Sequence, residues 1–184
     1  MDVCCSVTRV RGFSVIELLI TLGLGIILFA AGIPTWHHLQ AHIRLDNAQK
    51  AYARLFHLAR NTAIQRRLPI VLCPSTDGRQ CHRDYRRWQD GALLFVDTDS
   101  DGKHDHAEPA LAVQQAITGV VIQSSKRRLR VRFRTNGDAA GSNLSLRFCS
   151  PVDPTLNRAL ILSGSGRLRS ASHLPGSLPV ACTE

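Results

Sequence analysis

The sequence is poor in aromatic residues and in lysine, and it contains only one long hydrophobic run. Phe, Trp and Tyr make up 5% of its 184 residues, and 20 of its 23 basic residues are arginine. So few aromatic side chains offer little surface for stacking unpaired bases, which disfavours recognition of single-stranded nucleic acid. The single run, residues 13–33 with Glu17 as its one charge, excludes both a polytopic membrane protein and a plain cytosolic domain.

The sequence also lacks the motifs of the common enzyme classes. It contains no glycine-rich loop ending in lysine, no nucleophile elbow and no His/Cys pair at a recognisable spacing. The eight histidines are scattered, and His37, His38 and His42 are expected at a solvated or headgroup surface. We therefore expect a protein that is not an enzyme and that requires no cofactor.

Positive charge is in excess. The 23 basic residues outnumber the 14 acidic residues, and the net charge is +9. The planar guanidinium group matches phosphate and carboxylate groups, so this composition favours an anionic partner. The length suits one globular domain in addition to the hydrophobic run.

The N-terminal region places basic residues directly before the hydrophobic run. Arg9 and Arg11 predict that this end stays on the cytoplasmic side of a membrane. As a helix, the run would span roughly 31 Å, about one hydrocarbon core. Glu17 lies inside the run, where an ionisable side chain costs about 2.5–3.5 kcal/mol on insertion scales. This cost predicts a cationic partner for Glu17.

The stretch from Arg11 to Leu19, RGFSVIELL, closely resembles the prepilin peptidase site of type IV pilins and type II secretion pseudopilins. The resemblance implies cleavage between Gly12 and Phe13 and N-methylation of Phe13. It also implies that Glu17 acts in assembly, pairing with the terminal amine of a neighbouring subunit. Prepilin peptidase, other pilins or pseudopilins and the inner membrane are then the expected partners. A plain single-pass anchor in which Glu17 is incidental is the alternative.

Three segments are expected on this basis. Residues 1–12 form a cleaved prepilin leader, residues 13–35 a transmembrane and assembly helix, and residues 36–184 a periplasmic globular domain. The protein is then expected in the inner membrane before assembly, with a periplasmic domain, and afterwards in a pilus at the cell surface.

The remaining sequence predicts a helix followed by strands. Helical periodicity continues to about Arg67, and Pro69 ends it. The expected core face of this helix contains Leu39, Ile43, Tyr52, Leu55, Leu58, Ala59 and Ala63. Seven short apolar runs predict strands at 70–72, 92–96, 110–113, 119–122, 129–133, 144–148 and 159–162. The expected fold is α+β and type IV pilin-like: a long N-terminal helix, half transmembrane and half packed on an antiparallel β-sheet domain.

Four cysteines follow the leader: Cys73, Cys81, Cys149 and Cys182. In an oxidising compartment an even number suggests two disulfides. Of the three pairings we favour Cys73–Cys81, which closes a short loop, and Cys149–Cys182, which holds the C-terminal tail. A metal site is the weaker alternative, because no C-x-x-C pair is present.

An acidic segment lies between the second and third predicted strands. Residues 97–108 match the twelve-residue calcium loop, with Gly102 at the sharp turn. The expected calcium ligands are five carboxylates and one backbone carbonyl: those of Asp97, Asp99, Asp101, Asp105 and Glu108, and that of Lys103. The flanking runs predict strands rather than helices, so a solvated hairpin turn is an equal alternative. Acidic Asp-Gly turns here also resemble those of the FimT/GspH branch of minor pilins. His104 and His106 are expected to be exposed rather than ligands.

Arginines alternate with apolar residues along the fifth predicted strand. Period-two alternation places one set on the core face and the basic set opposite: Arg128, Arg130, Arg132 and Arg134. One interpretation is phosphate binding along this face. The other, compatible with it, is an edge strand whose charges prevent pairing with other sheets.

A second basic motif lies near the C-terminus, at Ser163 to Ser170. A Gly/Ser turn with two solvated arginines is its ordinary interpretation, although amides and guanidinium groups in such a turn can bind phosphate. In a pilin-like chain it resembles the Gly-Arg-x-Arg motif of FimT-like minor pilins, which bind DNA during natural transformation. That resemblance assigns DNA binding to Gly166, Arg167 and Arg169. Four further arginines could extend the basic surface: Arg79, Arg83, Arg86 and Arg87.

Two classes of function fit these features. The first is a minor pilin that binds duplex DNA through arginine–phosphate contacts, without sequence specificity, for natural transformation. The second is purely structural: a minor pilin that primes pilus assembly, or a GspH-like type II secretion pseudopilin. The two basic motifs favour the first, because a secretion role does not require a charge of +9.

Overall fold

One long helix, α1 (Val15–Arg66), precedes all the strands. The computed structural model describes residues 14–105, 107–126 and 128–182, without the side chains of 29–35. The predicted processing site at Gly12 and Phe13 therefore lies outside the described residues. Helix α1 ends where the sequence predicts: Arg67 has a left-handed φ of 52°, and Pro69 disfavours helical backbone in the residue before it.

The chain divides into two compact units, Met1–His38 and Leu39–Glu184. In the first unit, the large apolar side chains of α1 between Val15 and Leu28 are exposed; Val15 is 75% exposed and Leu28 is 73% exposed. Among the described residues, none of the helical segments is both long enough and apolar enough to cross a membrane.

The second unit contains ten strands in its described residues, and every pairing is antiparallel. They are β1 (Ile70–Pro74), β2 (Ala92–Val96), β3 (Ala110–Gln114), β4 (Val121–Gln123), β5 (Val131–Phe133), β6 (Leu144–Cys149), β7 (Arg158–Leu162), β8 (Leu168–Ala171), β9 (His173–Leu174) and β10 (Leu178–Pro179). One four-stranded sheet has the order β3-β2-β1-β5 and the other has the order β4-β6-β7-β8, while β9 and β10 form a small third sheet. The fold is therefore α+β with antiparallel sheets, as expected, and β8, β9 and β10 are additional to the predicted strands.

A single core joins residues 39–66 of α1 to both four-stranded sheets. Leu45, Tyr52 and Phe56 of the helix share this core with residues such as Leu72 of β1 and Phe148 of β6. The Tyr52 ring makes edge-to-face contacts with Trp88 and Phe148, and its hydroxyl donates a hydrogen bond to the Trp88 carbonyl. The helix thus fixes the two sheets relative to each other.

The buried face of α1 differs in part from the predicted one. Leu39, Ile43 and Leu58 are exposed at 49%, 48% and 43%. The other four predicted residues, Tyr52, Leu55, Ala59 and Ala63, are buried as expected. Four further residues complete the buried stripe: Ala41, Leu45, Ala48 and Phe56. The alanines of this stripe allow the helix to approach the sheets closely.

Two disulfides tie loops to the sheets. Cys73 of β1 is bonded to Cys81, and Cys149 of β6 is bonded to Cys182 in the C-terminal tail. These are the pairs that the sequence analysis favours. The second links the tail to the central part of the β4-β6-β7-β8 sheet.

Candidate functional site

The acidic segment is the loop between β2 and β3, and its two ends are buried. Asp97 is 0% exposed and Glu108 is 5% exposed. Asp97 Oδ1 accepts a hydrogen bond of 3.1 Å from the Gly102 N–H, and Glu108 Oε1 accepts one of 2.7 Å from the Thr98 N–H. The loop is therefore held closed by its own terminal carboxylates.

Three of the predicted calcium ligands come together in this loop. One carboxylate oxygen from each of Asp97, Asp99 and Glu108 lies within 4.8 Å of the others. Asp101 and Asp105 accept hydrogen bonds from the nearby N–H groups of Lys103 (2.6 Å) and Ala107 (2.9 Å). The pKa of Asp101 is held below its usual value, mainly because its carboxylate accepts the Lys103 N–H. The Lys103 ammonium group, 3.1 Å from the Asp101 carboxylate, lowers this pKa further.

His104, which the sequence analysis expects to be exposed, contacts several groups near the acidic loop. His104 is half-buried, its ring lies against Phe95, and its two nitrogens contact the carbonyls of Arg79 (2.7 Å) and Glu108 (3.1 Å). The ring is therefore more buried than expected, and it connects the loop to Phe95 and to the Arg79 backbone. His106 lies outside the described residues.

The arginines around β5 are engaged within the chain. Arg132 Nη2 lies 2.6 Å from Asp97 Oδ2 and donates a 2.7 Å hydrogen bond to the Ser100 carbonyl, while Arg130 donates to the Gly102 carbonyl. Arg128 donates to the Gly141 carbonyl at 2.6 Å, and Arg134 lies 3.7 Å from Asp138. Two of these four guanidinium groups thus hold the acidic loop, and β5 is an edge strand.

The Gly166 turn joins β7 to β8. The Gly166 N–H donates to the Ser163 carbonyl at 2.9 Å, and the Arg167 N–H donates to the Ser163 hydroxyl at 3.2 Å. Gly166 has a φ of +74°, and a Cβ at this position would overlap the Gly137 carbonyl oxygen. Only glycine tolerates both conditions without strain. Gly166 therefore allows this turn to pack closely against the turn that contains Gly137.

The turn presents two arginines to solvent. Arg167 and Arg169 are exposed, and neither side chain makes an ion pair or a hydrogen bond with the described part of the chain. Leu168 between them is partly buried against the core. Arg167, at the end of the turn, and Arg169, in β8, therefore both lie on the outer surface.

A third arginine beside the Gly166 turn is one that the sequence analysis does not single out. Arg60 of α1 is partly buried, and its Nε atom is buried without a hydrogen-bond partner among the described residues. This Nε lies 3.5 Å from the position that a Gly166 Cβ would occupy. Helical periodicity shows that Arg60 lies off the core face but cannot show that it reaches a turn more than a hundred residues away.

The other predicted basic residues are partly neutralised. Arg86 lies 3.5 Å from Asp84, and Arg87 lies 2.5 Å from Asp90. Arg83 lines a cleft of about 480 Å³ together with Arg130, Lys103, His82 and His104. The Cys73–Cys81 region therefore contributes a basic cleft rather than a row of four free arginines.

Comparison with known proteins identifies the family. The sequence model of the type II transport protein GspH matches residues 48–166. The structure of this chain is similar to that of the type IV minor pilin FimU from Pseudomonas aeruginosa, which was solved in two crystal forms. One is 17% identical with a TM-score of 0.55, covering 68% of this chain and 86% of FimU. The other is 19% identical with a TM-score of 0.51, covering 67% and 91%.

No curated protein sequence matches the chain. At under 20% identity, the similarity to FimU shows the fold. The match to the GspH sequence model covers well over half of the chain. The chain therefore belongs to the GspH family and shares its fold with the type IV minor pilin FimU.

Proposed function

We propose that this protein is a minor pilin of a type IV pilus that binds duplex DNA during natural transformation. Binding is independent of sequence and uses arginine–phosphate contacts centred on the Gly166 turn. The observation that carries the proposal is the pair Arg167, at the end of the turn, and Arg169, in β8, both exposed and without partners in the described chain.

The geometry of this turn suits phosphate groups. Arg167 and Arg169 are separated by one residue and both are exposed, so the two guanidinium groups can contact one phosphodiester backbone. The backbone of the turn is fixed by Gly166, so the conformational entropy lost on binding is mainly that of the arginine side chains. Contacts of this kind position a protein on DNA and read no sequence.

Neighbouring arginines extend the basic surface unequally. Arg60 has a buried Nε without a partner beside the turn. Arg134 is 60% exposed and belongs to the turn that Gly166 contacts, because the Gly137 N–H donates to the Arg134 carbonyl. Arg128, Arg130 and Arg132 already have carbonyl or carboxylate partners. We assign these three to the electrostatic field of the site rather than to direct contacts.

Membrane insertion and assembly complete the proposal. Residues 1–12 are cleaved at Gly12–Phe13, Phe13 is N-methylated, and residues 13–35 anchor the chain in the inner membrane until it joins the pilus. Glu17 lies exposed in the first turn of α1, where a carboxylate is favoured by the helix dipole. In this position it is available to the terminal amine of a neighbouring subunit.

The second candidate function is purely structural. The protein would then prime pilus assembly or act as a GspH-like pseudopilin of a type II secretion system. This function is favoured by the family model itself, and by the internal partners of the β5 arginines, which give those charges a structural role.

The test is DNA binding by the full chain in a non-ionic detergent, measured by fluorescence anisotropy. Two unrelated duplexes are titrated across a salt series with the wild type and with the Arg167→Gln/Arg169→Gln variant. We expect equal affinity for both duplexes, and a salt slope that falls by about two in the variant. Arg44→Gln/Arg54→Gln removes the same charge from α1 and is expected to retain the slope.

Two other results of the DNA-binding test would lead to different conclusions. If the wild type does not bind at low salt, the DNA-binding function is wrong and an assembly subunit remains. If binding persists unchanged in the Arg167→Gln/Arg169→Gln variant, the site lies elsewhere, and Arg128 to Arg134 is the next segment to test.

A further inference from the structure

We propose that Asp97, Asp99 and Glu108 form a binding site for a calcium ion in the β2–β3 loop. This site is separate from the Gly166 turn and does not depend on the DNA-binding function. The ligands differ from the set that the sequence pattern predicts, because the carboxylates of Asp101 and Asp105 do not belong to the converging group and instead accept the N–H groups of Lys103 and Ala107. The three that remain converge, with one oxygen of each within 4.8 Å of the others.

Glu108 provides an independent indication of a ligand. Its side chain is 5% exposed, yet only Oε1 is hydrogen-bonded, by the Thr98 N–H and hydroxyl. Oε2 is buried and has no hydrogen-bond partner among the described residues, although it belongs to the carboxylate that meets Asp97 and Asp99. Burying a carboxylate oxygen without a partner is costly, and a cation in the cluster would remove that cost.

The charges at the cluster suit a divalent ion. Three carboxylates carry three negative charges, and Arg132 compensates one of them through its 2.6 Å contact with Asp97 Oδ2. Lys103 is paired with Asp101 outside the cluster, at 3.1 Å. A net charge of minus two is left between closely spaced carboxylates, which repel one another unless a cation binds.

The donor set selects calcium rather than a transition metal. All three side chains offer carboxylate oxygen, which is preferred by hard cations, whereas zinc and copper sites use histidine or cysteine. Asp99 is exposed, so solvent can reach the cluster and complete the coordination shell. Calcium tolerates an irregular shell of ligands better than magnesium, which requires near-ideal octahedral geometry.

The experiment measures thermal unfolding and calcium binding of the full chain in non-ionic detergent after treatment with a chelator. Sites with few charged ligands in extracellular modules have a Kd of about 10⁻⁴–10⁻³ M. Calcium chloride at ~10 mM should then raise the Tm by about 3–10 °C. Sodium chloride of equal ionic strength should not produce this shift, and isothermal titration with calcium should show one site.

Variants distinguish this site from the sequence pattern. Asp99→Asn changes an exposed residue, so the protein should still fold while calcium affinity falls about tenfold or more. Glu108→Gln should abolish the calcium-dependent shift. Asp105→Asn is the matched control, since the sequence pattern predicts it as a ligand and the structure does not, and it should respond as the wild type does.

Three results would overturn the proposal. The first is a wild-type Tm that calcium does not change beyond the salt control, with no heat of binding. The second is an Asp99→Asn variant that binds calcium as tightly as the wild type. The third is an Asp105→Asn variant that loses binding to the same extent as Asp99→Asn, which would indicate diffuse attraction to an acidic loop.

Discussion

Arg132 Nη2 lies 2.6 Å from Asp97 Oδ2, and this ion pair joins the edge strand β5 to the buried start of the β2–β3 loop. The Asp97 side chain is 0% exposed, whereas that of Arg132 is 34% exposed. The contact thus compensates a carboxylate that cannot reach water. It explains why an alternating arginine strand is placed beside the most acidic loop of a basic protein.

Arg132→Gln should destabilise the fold, because it leaves the Asp97 carboxylate buried without its cation. Breaking a fully buried pair costs about 3–5 kcal/mol, and the partial exposure of Arg132 reduces the expected loss to about 1–3 kcal/mol. Urea unfolding monitored by circular dichroism measures it. Arg134→Gln is the matched control: its contact with Asp138 is 3.7 Å long and exposed, so the change should stay below about 0.5 kcal/mol. Equal losses in the two variants would contradict the structural role of the Arg132–Asp97 pair.

Gly166→Ala should disturb the basic turn. The residue has a φ of +74°, and the added methyl group would overlap the Gly137 carbonyl. We expect a loss of about 1–3 kcal/mol in the free energy of unfolding, together with weaker DNA binding if that turn is the site. Gly164→Ala is the control, since its Cβ would meet only the Ala140 Cα at 3.9 Å. A Gly166→Ala protein as stable as Gly164→Ala would show that the two turns are not tightly docked.

Tyr52→Phe should lower stability and also change its dependence on alkaline pH. The phenol donates to the Trp88 carbonyl, so its removal should cost about 1–2 kcal/mol at neutral pH. Burial raises the pKa of Tyr52, with a smaller contribution from Asp90. Since the folded-state pKa lies above the unfolded value, stability from the neutral phenol is complete below about pH 10 and is lost as the pH rises further. Thermal unfolding between pH 8 and 10.5 should therefore show a steeper alkaline decline in the wild type than in the variant. Parallel declines would contradict this linkage.

The fold could be predicted from the sequence wherever apolar patterns were strong. The seven predicted runs all contain strands, and six of them hold large apolar side chains that the core buries; in β3, Leu111 and Ala112 are only partly buried against the core. Strands β8, β9 and β10 escaped prediction because their side chains are mostly exposed and the local apolar signal is weak. Pairing with β7 positions β8, and the Cys149–Cys182 disulfide helps to hold the tail that follows.

The sites were harder to predict, because local hydrogen bonds and distant contacts compete with a sequence motif. Asp101 matches a calcium-ligand position in the sequence, yet its carboxylate lies outside the group formed by Asp97, Asp99 and Glu108 and is paired with Lys103. Arg130 matches a phosphate-binding row, yet it reaches the Gly102 carbonyl 28 residues earlier in the chain. Arg60 has no motif at all and gains its position beside Gly166 only through tertiary packing. Spacing in the sequence specifies which groups are available, whereas packing decides which of them remain free.

Replacing Cys149 and Cys182 by serine should release the C-terminal tail. In the chain-entropy model, opening a loop with a separation of 33 residues costs roughly 3.7 kcal/mol, against roughly 2.5 kcal/mol for the separation of eight between Cys73 and Cys81. The tail has further contacts, since its Val180 carbonyl accepts from Asn157 and its Ala181 carbonyl accepts from Arg147.

We therefore expect local opening before global unfolding. Amide hydrogen exchange should accelerate in residues 173–182 of the Cys149→Ser/Cys182→Ser variant while β1 and β2 stay protected. The Cys73→Ser/Cys81→Ser variant should leave exchange in the tail unchanged, because that disulfide lies in the other sheet. If the tail remains fully protected without its disulfide, then the Asn157 and Arg147 contacts suffice to hold it, and the bond between Cys149 and Cys182 acts mainly by restricting the unfolded chain.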